Sequence, residues 1–268
     1  MTTVQKIIKY LAMAFAIYLI VMIFGGIFAA LGLTGFFFGD GSVGKDMKDY
    51  TVSQDISSLK MNINAADLTI KTGEKFVLTS NLERLKAENK DGCLTINENF
   101  KFNVNYKGAS LVLEIPEDFV FDKAEITTGA GKLTVETLSA GEVMLKLGAG
   151  EAVVNNLTAL FKSSIDGGAG KITVNSGSLA NLDLDMGVGE LCLTSRLSGE
   201  CELDYGVGNA SLTLLGGRDE YRIDFEKGLG EARIDGNSVN DETVVGVGQN
   251  LVEIDGGVGK ANVIFAES

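Results

Sequence analysis

The 268-residue chain contains no histidine, and this absence removes several kinds of chemistry. It excludes a Ser-His-Asp or Cys-His catalytic pair, a histidine general base and a histidine metal ligand. Tryptophan is also absent, and there is one proline. Basic residues are few, since 23 Lys and Arg stand against 36 Asp and Glu, for a formal net charge of −13. Because nucleic-acid binding depends on basic surface, we expect no nucleic-acid partner.

Glycine, by contrast, is abundant, with 34 residues, while 45% of the chain is hydrophobic. That hydrophobic fraction is normal for a folded domain, and the near absence of proline excludes a collagen-like or low-complexity chain. The glycines must therefore serve a backbone requirement inside a folded structure.

The N-terminal region reads as a membrane anchor. Residues 10–39 carry no charged side chain, and residues 11–30 (LAMAFAIYLIVMIFGGIFAA) would form a helix about 30 Å long, enough to cross a bilayer. A cleaved signal peptide is the alternative, but its apolar region is shorter and ends at a small-residue cleavage site that we do not find here. We expect a cytoplasmic tail and transmembrane helix over residues 1–39, and a linker over 40–50.

Charge sets the expected orientation of this anchor. Lys6 and Lys9 precede the span, whereas every acidic residue follows position 39. This pattern favours a cytoplasmic N-terminus and a single-pass protein of the cell membrane. Residues 51–268 are then an extracellular domain.

A Gly-[Ala/Val/Leu]-Gly triplet repeats along this domain. Its first glycines are Gly129, Gly148, Gly168, Gly187, Gly206, Gly228 and Gly257, separated by 19, 20, 19, 19, 22 and 29 residues. A period near 19–20 residues indicates a solenoid. The off-period triplet at 246–248 is interpreted as a turn in an inserted hairpin. A phosphate-binding loop is disfavoured because a strand, not a helix, follows each triplet.

Apolar residues alternate with polar ones on both sides of every triplet. Three positions before the first glycine stand Ile126, Leu145, Ile165, Leu184, Leu203, Phe225 and Ile254, and similar columns lie four and six positions after it. Period-two alternation predicts strand, turn and strand. We therefore expect a single-domain, all-β solenoid whose coils stack in parallel and in register, each on the next along the chain.

Acidic residues also occupy two columns. Two positions before the triplet stand Asp166, Asp185, Asp204, Glu226 and Asp255, and four positions before it stand Asp183, Glu202, Asp224 and Glu253. Stacked about 4.8 Å apart, they would form two adjoining ladders of carboxylates on one face. Three interpretations stay open: a solubilising face, a surface that binds a cationic partner or divalent cations, and carboxylate catalysis on a polysaccharide.

Two further patterns in the repeats indicate structural roles and no ligand site. Lys132, Glu151, Lys171 and Glu190 alternate in charge one coil after another, so vertical neighbours are expected to pair. Calcium-binding RTX repeats need Asp where Ile172 and Ala261 stand, so no metal or other cofactor is expected.

The three cysteines, Cys93, Cys192 and Cys201, are an odd number and do not make a disulfide scaffold. The columns predict that Cys201 is buried and Cys192 exposed, so a bridge between those two is not expected.

The segment before the repeats is less regular. Residues 67–70, 76–78, 94–96 and 109–115 are predicted strands, with Pro116 ending the last of them. Residues 64–70 look like a degenerate copy of the repeat, and residues 86–92 are predicted to be a polar turn. We expect this region to cap the solenoid.

The run Leu111–Pro116, the repeat Ile126–Val135 and the ending Asp255–Gly259 resemble the bacterial putative-adhesin family, also called the toastrack domain. The resemblance covers about residues 50–267 and implies a β-solenoid, often tethered to the membrane in Gram-positive bacteria, with some relatives in envelope-stress systems. It supplies no catalytic residues.

We therefore expect a non-enzymatic scaffold or binding module of the cell envelope, acting in adhesion or stress sensing. Its partner would be an envelope polymer, a cationic peptide or another protein. The alternative is a carbohydrate-active β-helix enzyme that uses the surface carboxylates.

Overall fold

The computed structural model describes residues 43–99, 106–240 and 242–266, and this part of the chain is almost entirely β-strand. The all-β prediction is confirmed here. The sixteen strands of one sheet are β1 (Val43–Tyr50), β2 (Ser58–Ile63), β3 (Asp67–Gly73), β4 (Val77–Leu82), β5 (Leu85–Lys90), β6 (Cys93–Glu98), β7 (Ser110–Pro116), β8 (Val120–Val174), β9 (Gly177–Ala180), β10 (Leu182–Ser198), β11 (Glu200–Leu215), β12 (Tyr221–Glu226), β13 (Leu229–Ile234), β14 (Asn237–Ser238), β15 (Thr243–Gly246) and β16 (Asn250–Ala266). A short 3-10 turn, Arg218–Glu220, precedes β12.

The 55-residue strand β8 contains the first three triplets. At these corners the backbone of Gly148 packs directly on the carbonyl of Gly129, and Gly168 packs on Gly148. Gly150 has φ +144°, a positive backbone angle. Glycine alone adopts it readily, which explains why the triplets are needed.

Successive repeats pair in parallel and in register between β8, β10 and β11. Leu184 of β10 lies between Ile165 of β8 and Leu203 of β11. The glycine corners align in the same way, since Gly189 pairs with both Gly170 and Gly208. The three predicted apolar columns are buried throughout, with Val135, Leu184 and Ile254 at 1% exposure or less.

The stacking order departs from the chain order at the C-terminal end. The last repeat, β16, pairs in parallel with β11 on one side and with β12 and β13 on the other. The expectation that each coil stacks on the next along the chain is therefore wrong here. The final repeat is inserted between its two predecessors, and the longer chain steps of 22 and 29 residues provide the connections that this crossing needs.

The N-terminal end shows the same arrangement. β2 and β3 pair with β8 on one side and with β6 and β7 on the other, so the first repeat lies between the second repeat and the third. Leu68 pairs with Leu133, and the backbones of Asn64 and Ala66 lie where the glycines of the corner stand in later repeats. This confirms residues 64–70 as a degenerate copy of the repeat.

Antiparallel strands cover both ends of the stack. β5 pairs with β6, β4 pairs with β7, and β1 pairs with β4 at one end, while β15 pairs with β12 and β14 pairs with β13 at the other. Residues 86–92 are therefore not a polar turn, because residues 85–90 form β5 and only Asp91 and Gly92 make the turn. Residues 43–50, assigned to a linker from the sequence, form β1.

Two long side chains in the column directly before the triplet lie over glycines of a neighbouring repeat. Met186 lies over Gly167, where an added methyl group would meet its sulfur at 2.8 Å. In the same way the ring of Tyr205 lies over Gly256. The interior of the corner is thus filled by long side chains from one repeat and vacated by glycine in the next.

Candidate functional site

The predicted acidic residues do form two adjoining ladders, and we call this surface the acidic face. Each member follows or precedes a buried core residue by one position, so its side chain points away from the core. The first ladder runs in the spatial order Asp166, Asp185, Asp204, Asp255 and Glu226, and the second in the order Asp183, Glu202, Glu253 and Asp224.

The spatial order of the acidic face corrects the order expected from the sequence. Asp255 stands directly between Asp204 and Glu226, because β16 is inserted between β11 and β12. Glu253 is placed in the same way between Glu202 and Asp224. The insertion therefore changes which carboxylates are neighbours and keeps both ladders continuous.

Basic side chains border the acidic face. Lys146 and Asp166 line one shallow depression at the start of the first ladder. At the other end, Arg222 Nη2 lies 3.8 Å from Asp224 Oδ2. The central members of the ladders have carboxylates as their neighbours along the stack on both sides.

Asp204 is the member with the most unfavourable surroundings. Its Oδ1 atom is buried and accepts no hydrogen bond from the described residues. Partial burial raises the pKa of the Asp204 carboxyl, and the charges of Asp255 and Asp185 add to the effect. A cation over this position would relieve both the missing hydrogen bond and the repulsion between neighbours.

The acidic face does not have the form of a closed metal site. Among the described residues, no three Asp, Glu, Cys or His side chains converge on one point where a metal ion would bind. The carboxylates stand instead in rows on successive strands, about 4.8 Å apart. Such rows suit a partner with several positive charges spread along its length.

The opposite-charge column is confirmed as a set of ion pairs. Lys132 Nζ lies 3.1 Å from Glu151 Oε2, and Lys171 Nζ lies 3.0 Å from Glu190 Oε1. Both pairs are about half exposed, so each contributes little to stability. This column thus pairs opposite charges along the stack, whereas the acidic face sets like charges side by side.

The three cysteines form no disulfide bond with one another. All three are free thiols, and Cys201 is buried as predicted. Burial raises the pKa of the Cys201 thiol, which keeps it protonated and unreactive. Cys192 is half-buried, less exposed than its column predicted.

One concave region was not predicted from the sequence. A cavity of about 420 Å³ lies beside the turn after β7, with Phe119, Leu138 and Glu136 in its lining. The side chain of Glu136 is held there by the N–H of Thr72, which donates to Oε2 at 2.9 Å. Residues 116–119 fall outside the repeat pattern. This break in the pattern was the sequence feature that could have indicated an irregular surface here.

No protein-family model matches the chain, and no curated protein matches it either. Solved structures do. The chain is similar to a putative cell adhesion protein from Clostridium sporogenes, with 18% identity, 82% of this chain and 99% of that chain covered, and a TM-score of 0.32. A putative adhesin from Bacteroides fragilis is 12% identical, with 84% of this chain and 100% of that chain covered and a TM-score of 0.41. A putative lipid binding protein from Parabacteroides distasonis is 13% identical, with 84% of this chain and 98% of that chain covered and a TM-score of 0.39.

The adhesin descriptions match the resemblance seen in the sequence. Identities of 12–18% transfer no ligand or activity to this chain. What the chain binds has to be argued from its own surface.

Replacing Asp204 by Asn is expected to stabilise the protein at neutral pH. Because folding raises the pKa of the Asp204 carboxyl, the contribution of this group to stability is fully present below the ordinary Asp value of 3.8. That contribution is lost as pH rises through the raised pKa. The variant cannot ionise, so its free energy of unfolding should exceed that of the wild type by about 0.5–1 kcal/mol at pH 7.

Urea unfolding of the full-length protein in detergent at pH 3 and pH 7 measures this difference. Glu190→Gln is the matched control, because Glu190 faces Lys171 and should gain nothing. An Asp204→Asn variant no more stable than the wild type at pH 7 would contradict the prediction.

Proposed function

We propose that the chain is a membrane-anchored β-solenoid module of the bacterial cell envelope, which binds an extended cationic partner on its acidic face and catalyses no reaction. The acidic face is the observation that carries this proposal. The solenoid architecture explains how the face arises, and the N-terminal sequence explains where the module is held.

The solenoid part of the proposal rests on strand register. Parallel pairing advances by one repeat from β8 to β10 and from β10 to β11, with every column kept in line. Stacked repeats of this kind present the same sequence position along one face many times. A single acidic position per repeat therefore becomes a row.

The arrangement of the carboxylates favours binding over catalysis. A retaining glycosidase uses one pair of carboxylates about 5–5.5 Å apart, of which one has a strongly raised pKa. Here a similar close spacing, about 4.8 Å between paired strands, is expected between every pair of neighbours along both ladders. Asp204 lies inside such a row, and no described residue offers it a separate partner that would make its pair distinct.

Like charges placed directly opposite one another destabilise a sheet. The acidic face sets nine carboxylates on neighbouring strands, so their mutual repulsion destabilises the sheet. A polycationic partner supplies the compensation, since it offers several amino or guanidinium groups at once and neutralises adjacent rows together.

The membrane anchor stays a proposal from the sequence. The predicted span lies outside the described residues, and the described residues form no helix long and apolar enough to cross a bilayer. β1 begins at Val43, only a few residues after the uncharged stretch ends. With the orientation expected from the charges of the N-terminal region, the repeats would lie outside the cell.

Binding of an oligolysine peptide to full-length protein tests the acidic face. Changing Asp166, Asp185 and Asp204 together to Asn should weaken binding at least about tenfold at low salt, because three adjacent charges of one ladder are removed. Isothermal titration calorimetry at two salt concentrations gives the affinities.

The control changes Glu151, Glu190 and Glu231 together to Gln, which alters the net charge equally on another column. This variant should bind the peptide nearly as well as the wild type. Equal loss in both variants would mean that only net charge matters, and the absence of binding by the wild type would reject the acidic face as a binding surface.

A further inference from the structure

The cavity of about 420 Å³ beside the turn after β7 is large enough to hold a small molecule. It lies outside the acidic face, because none of its lining residues belongs to either carboxylate ladder. Its walls come from strands β3, β7 and β8 and from the turn that joins β7 to β8. Paired strands therefore hold most of its lining in place.

The apolar wall of the cavity is built around Phe119. The centroid of the Phe119 ring lies 5.0 Å from that of Phe76 and 4.8 Å from that of Phe121, both in T-shaped contact. Phe76 and Phe121 are buried, whereas Phe119 is only half-buried. The two contacts fix the orientation of the Phe119 ring, and such a ring provides a firm surface for the C–H groups of a ligand.

The turn that carries two of the carboxylates in the lining is fixed by its backbone. The N–H of Glu117 donates to the carbonyl of Gly73 at 3.1 Å, and the N–H of Phe119 donates to that of Pro116 at 3.2 Å. Asp118 lies within this turn with φ +57°, a left-handed conformation that Asp and Asn adopt more readily than most residues. Glu117 and Asp118 are thus positioned before any ligand binds.

Hydroxyl and amide groups from neighbouring repeats complete the lining. Thr72 comes from β3, while Thr137, Ser139 and Asn156 come from two successive repeats of β8. The N–H of Thr72 also holds the Glu136 carboxylate at the wall, as it donates to Oε2 at 2.9 Å. Side chains of these types both donate and accept hydrogen bonds, which is what the hydroxyl groups of a sugar require.

Charge restricts the ligand further. Glu117, Asp118 and Glu136 all line the cavity, and none of the described residues in the lining is basic. An anionic ligand is therefore disfavoured, and a positively charged group is attracted. A bare metal ion fits less well, since no three acidic, Cys or His side chains of the described residues converge on one point.

We propose that this cavity binds an amino sugar, with the sugar ring against Phe119 and the ammonium group beside Asp118 and Glu136. The sugar hydroxyls are hydrogen-bonded to the Thr, Ser and Asn side chains of the lining. Each part of the ligand thus matches one part of the cavity. A neutral sugar would leave the carboxylates without a counterion, and a simple alkylamine would leave the hydroxyl and amide groups without partners.

Titration of the full-length protein with glucosamine tests the site, followed by ligand-detected NMR in a detergent without a sugar headgroup. Glucosamine should bind with a dissociation constant of about 1 mM or below. Glucose, N-acetylglucosamine and ethylamine should each bind at least about tenfold more weakly. The first two lack the positive charge, and ethylamine lacks the ring and its hydroxyls.

A double variant, Asp118→Asn with Glu136→Gln, should raise the glucosamine dissociation constant at least about tenfold, because it removes two charges and keeps the shape of the lining. Asp91→Asn with Glu83→Gln is the matched control. Asp91 also has positive φ, +52°, and neither Asp91 nor Glu83 lines the cavity. The control should bind within about twofold of the wild type, and thermal unfolding should show that both variants fold.

The variant of the acidic face, in which Asp166, Asp185 and Asp204 are changed to Asn, should bind glucosamine as the wild type does. Failure of this proposal and failure of the acidic face are therefore seen separately. A wild type that does not bind glucosamine, equal binding of any of the three comparison compounds, an unaffected double variant, or an equal loss in the control would each overturn the proposal.

Discussion

A chain that ends at Gln249 is expected to lose its folded C-terminal third and not merely a terminal strand. β16 separates β11 from β12 and β13, so its removal leaves both neighbours without a partner on that side. Val252, Ile254 and Val263 leave the core with it. Each such side chain contributes about 1.5–3 kcal/mol when buried, and the sum is comparable with the 5–15 kcal/mol that stabilises a typical domain.

Limited proteolysis and circular dichroism of the full-length and truncated proteins measure this loss. The truncated protein should be cleaved between residues 200 and 249, where the full-length protein resists. Adding a synthetic peptide of residues 250–268 should restore part of the resistance, because it can enter between the two exposed strands. A truncated protein with unchanged resistance would show that the last repeat is not needed for packing.

Changing Gly189 to Ala is expected to destabilise the protein by about 3–5 kcal/mol. Gly189 has φ +144°, and a methyl group there would overlap the carbonyl oxygen of Gly170 in the preceding repeat. Because that atom belongs to the backbone of a paired strand, relief requires the parallel ladder to move apart.

Gly236→Ala is the control for the glycine prediction. Gly236 also has positive φ, +77°, but no atom lies within 4 Å of the position that the methyl group would occupy. Its cost should be limited to the left-handed backbone conformation, about 1 kcal/mol. Urea unfolding of the two variants separates the close approach from the backbone preference, and equal costs would contradict the structural explanation.

The repeats were predictable because each position recurs. Period-two alternation assigned the core side of every strand, and the constant spacing aligned Leu184 with Ile165 and Leu203. The same reasoning placed Asp166, Asp185 and Asp204 in one row and Lys171 beside Glu190. These predictions needed no knowledge of loops or ends.

The ends of the stack were not predictable in the same way. Residues 86–92 were expected to be a polar turn because the segment is mostly polar, and an edge strand with one solvent-facing side has the same composition. The position of β16 was missed for another reason. Its apolar column matches those of β11 and β12 equally, so the pattern does not say which repeats are its neighbours.

The sequence by itself determined the strands, their inward and outward faces, the glycine corners and the presence of acidic rows, because these follow from alternation and from a fixed period. Only the tertiary structure decided that the first and last repeats are inserted between others, that Asp255 lies between Asp204 and Glu226, and that a cavity lies beside the turn after β7. The physical reason is that in-register parallel repeats can pair in several orders with nearly equal local contacts. The choice among those orders depends on loop closure and on how the ends are covered, and neither is recorded in the repeat itself.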